Sequence, residues 1–129
     1  IVEIAGRAGG FMVGEKLVTT VSSVDLTHLS ILSCIGEDTG PIAPGFRHSL
    51  LRFVPSTLSG QLVAVNGLEF ASNVDNVEVG LVAMIGDKIV NASSDADRLA
   101  WILVHGDSLA EIQNKADNLE SSLEFVISS

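Results

Sequence analysis

Four short runs rich in Leu, Val and Ile, at residues 49–54, 61–66, 77–84 and 99–105, are separated by Pro55, Gly60, Gly67, Gly86 and the polar stretch 91–97. Runs of that length punctuated by turn residues predict short antiparallel strands that close on themselves as a barrel-like unit. Ser108 followed by Glu111 is a capping box, and Ile112, Ala116, Leu119 and Leu123 repeat at helical spacing behind it. Phe125-Val126-Ile127 reads as a final strand, and residues 69–73 suit one helical turn.

The first third has a different rhythm. Residues 12–21 read as a short helix and residues 24–35 as a better one, with Leu26, Leu29, Leu32 and Ile35 at helical spacing. Ser22 with Asp25 resembles a capping box, and Gly36 stands where a helix stops. Residues 37–44 are acidic and carry glycine and proline, which makes them a connector. The expected fold class is α+β: a strand end and two helices over residues 1–44, then a small β domain with a helix over residues 45–129.

The chain has 129 residues, 47% of them apolar, which is one domain's worth and enough for a sizeable core. Its net charge of −9 repels phosphodiester backbones, so nucleic acid is not an expected partner. The apolar run 99–104 is far shorter than the roughly 20 residues a membrane span needs, and no membrane partner is expected. Cys34 is the single cysteine and sits in an apolar stretch, as a reduced interior thiol of a cytoplasmic protein would. His28, His48 and His105 lie apart from one another and from Cys34, so no zinc spacing exists.

Residues 1–10, Ile-Val-Glu-Ile-Ala-Gly-Arg-Ala-Gly-Gly, hold the densest chemistry. An alternating apolar start delivers Glu3 and then Arg7 into a turn at Gly9-Gly10. Glu3 suits a divalent metal such as Mg²⁺, or an outward-facing carboxylate of a half-buried strand. Arg7 suits a phosphate or carboxylate oxygen, or an ion pair with Glu3 or another acid. The two glycines suit backbone amides facing an anion, or an ordinary tight turn. The chain has no initiator Met and starts on this motif, so the tail of a larger protein is expected. Elsewhere, Arg47, His48 and Arg52 read as a solvated strand edge, His105 as structural, and Trp101 as core.

In order and spacing these segments resemble the C-terminal end of an ATP-grasp enzyme, over nearly the whole chain. Residues 2–10 are similar to that superfamily's Glu-x-x-x-Arg-x-Gly-Gly stretch. Val24-Asp25-Leu26 and the helix ending at Ile35-Gly36-Glu37 resemble its Gly-Val-Asp-Leu … Leu-Gly-Glu helix, with Ser23 in place of the usual Gly. Residues 49–127 resemble the small β domain of biotin-carboxylase-like and amino-acid-ligase-like members. There Asp97-Arg98-Leu99 and Val104-His105-Gly106-Asp107-Ser108 match the Arg-Leu-Gly … Gly-x-(Ser/Thr) ending.

The resemblance implies an ATP-dependent ligase that joins a small-molecule carboxylate to an amine through an acyl phosphate. Glu3 matches the acid that holds Mg²⁺ between ATP phosphates, and Arg7 the catalytic arginine at the acyl phosphate. Gly9 and Gly10 match the loop whose amides approach the substrate. Ala5 stands where many members have Asn as a second metal contact, so coordination would rely on Glu3 and upstream acids. The fragment alone is expected to be inactive without its N-terminal lobes, and the apolar face left by their absence would allow a homodimer. A non-catalytic β-barrel binding or assembly module is the alternative.

Overall fold

The computed structural model describes residues 10–43, 45, 47–94 and 96–128. Helix α1, Val13–Ser22, begins with a π-wound turn over Val13–Val18 and ends as an α turn over Thr19–Ser22. After it come α2 (Leu26–Ile35), β1 (His48–Pro55), β2 (Gly60–Asn66), α3 (Leu68–Ser72) and β3 (Val77–Leu81). The order closes with β4 (Lys88–Ile89), β5 (Arg98–Gly106), α4 (Leu109–Ser122) and β6 (Glu124–Ser128). Among the described residues no single helix is long and apolar enough to cross a membrane, and α1 and α2 are bent by 109° at their junction.

The strands do not close into a barrel. They form two three-stranded antiparallel sheets, β1-β5-β3 and β4-β2-β6. The run expected to be one strand over 77–84 explains the difference. β3 ends at Leu81, and the amides of Val82 and Ala83 both donate to the Leu99 carbonyl, at 2.8 and 3.1 Å. Two donors on one acceptor stop the ladder from advancing, so the chain peels away and only Lys88–Ile89 rejoins, against β2. At the same end of β5 the register with β1 shifts between Val54 and Pro55, where proline has no N–H to give.

Strand β5 is buried on both faces, which is why residues 99–104 are apolar without alternation. Ala100, Ile102 and Val104 pack with Ile112, Ala116 and Leu119 of α4, with Ala71 of α3 and with Val54. A second cluster joins Leu62, Ala83, Ile89 and Leu99. Phe125 packs against both clusters and so couples the two sheets.

The helix ends follow local chemistry. The Ser108 hydroxyl accepts from the Glu111 amide at 3.2 Å, and the Glu111 carboxylate accepts from the Asp107 amide at 3.0 Å. At α2 the cap is Asp25, whose carboxylate accepts from the His28 amide at 2.9 Å. Ser22 does not cap it; its hydroxyl donates back to the Val18 carbonyl at 2.7 Å. Gly36 takes the left-handed conformation, φ 76°, and the Glu37 amide closes on the Leu32 carbonyl. No residue of α2 is fully buried, and Cys34 is exposed rather than interior. Packing against α1 half-buries Leu26, Leu29 and Leu32 but leaves Cys34 exposed.

Candidate functional site

Of the four expected site residues, Glu3, Arg7 and Gly9 lie outside the described residues. Gly10 is described, is exposed, and opens a turn in which the Val13 amide donates to the Gly10 carbonyl at 3.2 Å. The two central residues, Phe11 and Met12, have φ of 44° and 65°. Such a turn normally holds Gly, Asn or Asp, because a Cβ crowds the backbone there. Two bulky residues in that region cost about 1–3 kcal/mol each and persist only where their surroundings hold them. The Met12 carbonyl accepts from the amides of Lys16 and Leu17, at 2.8 and 3.1 Å, which starts the π turn of α1.

What holds the turn comes from far along the chain. The Phe11 ring meets Phe53 of β1 edge to face, centroids 5.2 Å apart at 75°. The Arg98 guanidinium, at the start of β5, lies 3.7 Å from the Phe53 centroid and 4.6 Å from that of Phe11. The β1–β5 pairing brings them together by setting Pro55 opposite Arg98. Arg98 stood out in the sequence only as part of Asp97-Arg98-Leu99, and no spacing linked it to Phe11 or Phe53.

Two further contacts fix the same region. Lys16 of α1 pairs with Glu78 of β3 at 2.8 Å and lies 5.9 Å from the Trp101 ring. Its hydrogen bond to Glu78 is the main reason its pKa is raised above the ordinary lysine value. Just before Arg98, the Asp97 carboxylate accepts from the amides of Ser93 and Ser94, at 3.0 and 2.8 Å, and from both hydroxyls. The Ser93 amide contributes most to holding that carboxyl below its usual range.

The basic strand edge is divided. Arg47 and His48 are exposed beside Val21, Gly106 and Asp107. Arg52 instead binds α4, 2.6 Å from Glu120 and 3.0 Å from Asp117. Trp101 is buried, as expected of a core residue. Among the described residues no three His, Cys, Asp or Glu side chains gather as a metal group.

Residues 52–128 match the family model of the L-amino acid ligase C-terminal domain 2. The chain belongs to that family. In fold, this ligase domain resembles the L-amino acid ligase from Bacillus licheniformis, with a TM-score of 0.81 at 22% identity over 99% of the chain and 32% of that enzyme. It also resembles the phosphoribosylglycinamide synthetase from Anaerococcus prevotii, with a TM-score of 0.77 at 18% identity over 90% of the chain and 30% of that protein. The N5-carboxyaminoimidazole ribonucleotide synthetase from Thermotoga maritima follows, with a TM-score of 0.65 at 11% identity over 96% and 32%. A search of curated proteins gives no match. The ligase domain thus corresponds to the C-terminal part of an ATP-grasp ligase and spans about a third of the solved relatives. Its described residues set Phe11 of the turn against Phe53 and Arg98.

Proposed function

We propose that this chain is the C-terminal part of a cytoplasmic, ATP-dependent carboxylate–amine ligase. Residues 1–44 complete the catalytic fold in this reading, and residues 45–129 form the small domain behind it. The observation that carries it is the family match over residues 52–128. The strained turn beginning at Gly10 supports it, because strain held in place by distant residues accompanies functional loops.

In such a ligase the γ-phosphoryl group of ATP passes to a substrate carboxylate, and an amine then displaces phosphate from the acyl phosphate. Arg7 holds the charge that develops at that centre, and its planar fork suits phosphate oxygens. Gly9 and Gly10 would supply backbone amides to the substrate. Glu3 would hold the Mg²⁺ that accompanies ATP, for which one or two carboxylates with phosphates and water suffice. Neutralising phosphate charge is the chemistry that ion supplies when bound. The remaining ligands are taken from acids outside the described residues, which contain no metal group of their own. By itself the chain is inactive, since the nucleotide-gripping lobes lie elsewhere in the protein.

The test is ADP release from ATP by the intact ligase, screened with amino acids as carboxylate and amine. Glu3→Gln should abolish release and leave the melting temperature nearly unchanged. Full turnover in that variant overturns the assignment of Glu3. An intact protein that releases no ADP with any amino acid pair overturns the ligase reading, and a non-catalytic assembly module takes its place.

A further inference from the structure

We propose that Arg98 is a positioning residue, the clamp that holds the Gly10–Val13 turn in its strained shape and so sets where the Gly10 amide points. The inference rests on the ligase reading above and adds a residue to it. Three observations converge. Phe11 and Met12 occupy a region that bulky side chains avoid, at φ of 44° and 65°. Among the described residues the backbone bonds of the turn, Val13 to Gly10 at 3.2 Å and Lys16 and Leu17 to Met12, leave the φ of Phe11 to be held by its side chain. The side chain that leaves the turn, Phe11, ends against Phe53 and the Arg98 guanidinium, at 5.2 and 4.6 Å.

The guanidinium suits this task for a physical reason. It is planar and weakly hydrated, so it stacks on an aromatic face while its charge is retained. At 3.7 Å from the Phe53 centroid it is fixed to β1, and its own backbone is the first residue of β5. The clamp is therefore anchored to two paired strands, whereas Gly10 and Phe11 of the turn are exposed. Just upstream, Asp97 holds the amides of Ser93 and Ser94, which steadies the loop that delivers Arg98. The turn is thereby tied to the sheet where Phe11 meets Phe53 and Arg98.

The experiment compares the intact ligase with Arg98→Ala, Arg98→Lys, Phe53→Leu and the Arg98→Ala/Phe53→Leu double variant. Two readouts are needed: kcat and KM for ATP from ADP release, and hydrogen exchange of the segment spanning residues 10–20. Arg98→Ala should lower kcat at least tenfold with the KM for ATP within twofold, and speed exchange in that segment at least tenfold while α4 stays protected. Arg98→Lys should recover part of both, and the double variant should be no worse than Arg98→Ala, because both residues act through one stack. Unchanged exchange in Arg98→Ala overturns the clamp. A KM for ATP that rises as kcat falls overturns it in favour of a nucleotide contact, and additive losses in the double variant overturn the shared stack. If Arg98→Ala does not fold, Arg98→Lys and Phe53→Leu must still show graded losses, or the inference fails. Wild-type ligase that releases no ADP sinks the ligase reading instead, and the exchange arm then decides the clamp alone.

Discussion

Gly80 of β3 and Trp101 of β5 face each other with no room for a methyl group between them. They are partners in the register, and a Cβ on Gly80 would lie 2.4 Å from the indole Nε1 and Cε2. The glycine is there for space, and its φ is unremarkable, so the constraint is the ring. Lys16 lies 5.9 Å from the same ring, so one indole joins α1, β3 and β5.

Gly80→Ala should therefore destabilise the protein by about 1–3 kcal/mol, the usual cost of overpacking a filled core. Trp101 is the single tryptophan, so its emission reports the change directly. A lowered denaturation midpoint with shifted native-state emission is expected. An unchanged midpoint would mean that the indole has space to retreat.

Asp97 gives a pH signature with a definite sign. Its carboxyl is depressed below the ordinary value of 3.8, chiefly by the Ser93 amide and then by the Ser94 hydroxyl. A group depressed on folding contributes stability that is fully present above its ordinary value and is lost as pH falls through the lower folded one. The amides of Ser93 and Ser94 should move together on acidification, with a midpoint below 3.8. Asp97→Asn should abolish that step. A midpoint at or above 3.8 would contradict the hydrogen bonds seen here.

Helix α2 predicts how the isolated chain behaves. Ile31 and Ile35 are 55% and 66% exposed, and Leu26, Leu29 and Leu32 are only half-buried. Apolar side chains exposed side by side on one helix are a site of association. The chain expressed alone should self-associate in light scattering, and Ile31→Lys with Ile35→Lys should return it to a monomer. A monomer without those substitutions, across the accessible concentrations, would show that the face is inert.

Much of the fold was legible because its causes are local. The Ser108–Glu111 cap, the Gly36 stop and the long β5 run depend on groups a few residues apart or on side-chain solubility. Trp101 as core follows in the same way. The cap of α2 is Asp25 and not Ser22, three residues earlier: both side chains accept an amide, Ser22 that of Val24 and Asp25 that of His28, and only the backbone decides which amide opens the helix. The barrel-like closure failed at Val82, where one carbonyl takes two amides, a geometry no residue pattern announces. Cys34 was misplaced because burial belongs to what covers a helix, and the helix sequence does not contain its cover.

By itself, then, the sequence determined the order of helices and strands apart from β4, the strand that is buried on both faces, and a family resemblance that the match over residues 52–128 supports. Tertiary structure alone decided that there are two sheets, that Arg52 belongs to α4, and that Phe11, Phe53 and Arg98 form one stack. The reason is range. Propensity, capping and turn chemistry act over a handful of residues, whereas Arg52 reaches partners 65 and 68 positions away, and such meetings exist only once the register of β1 on β5 has been set.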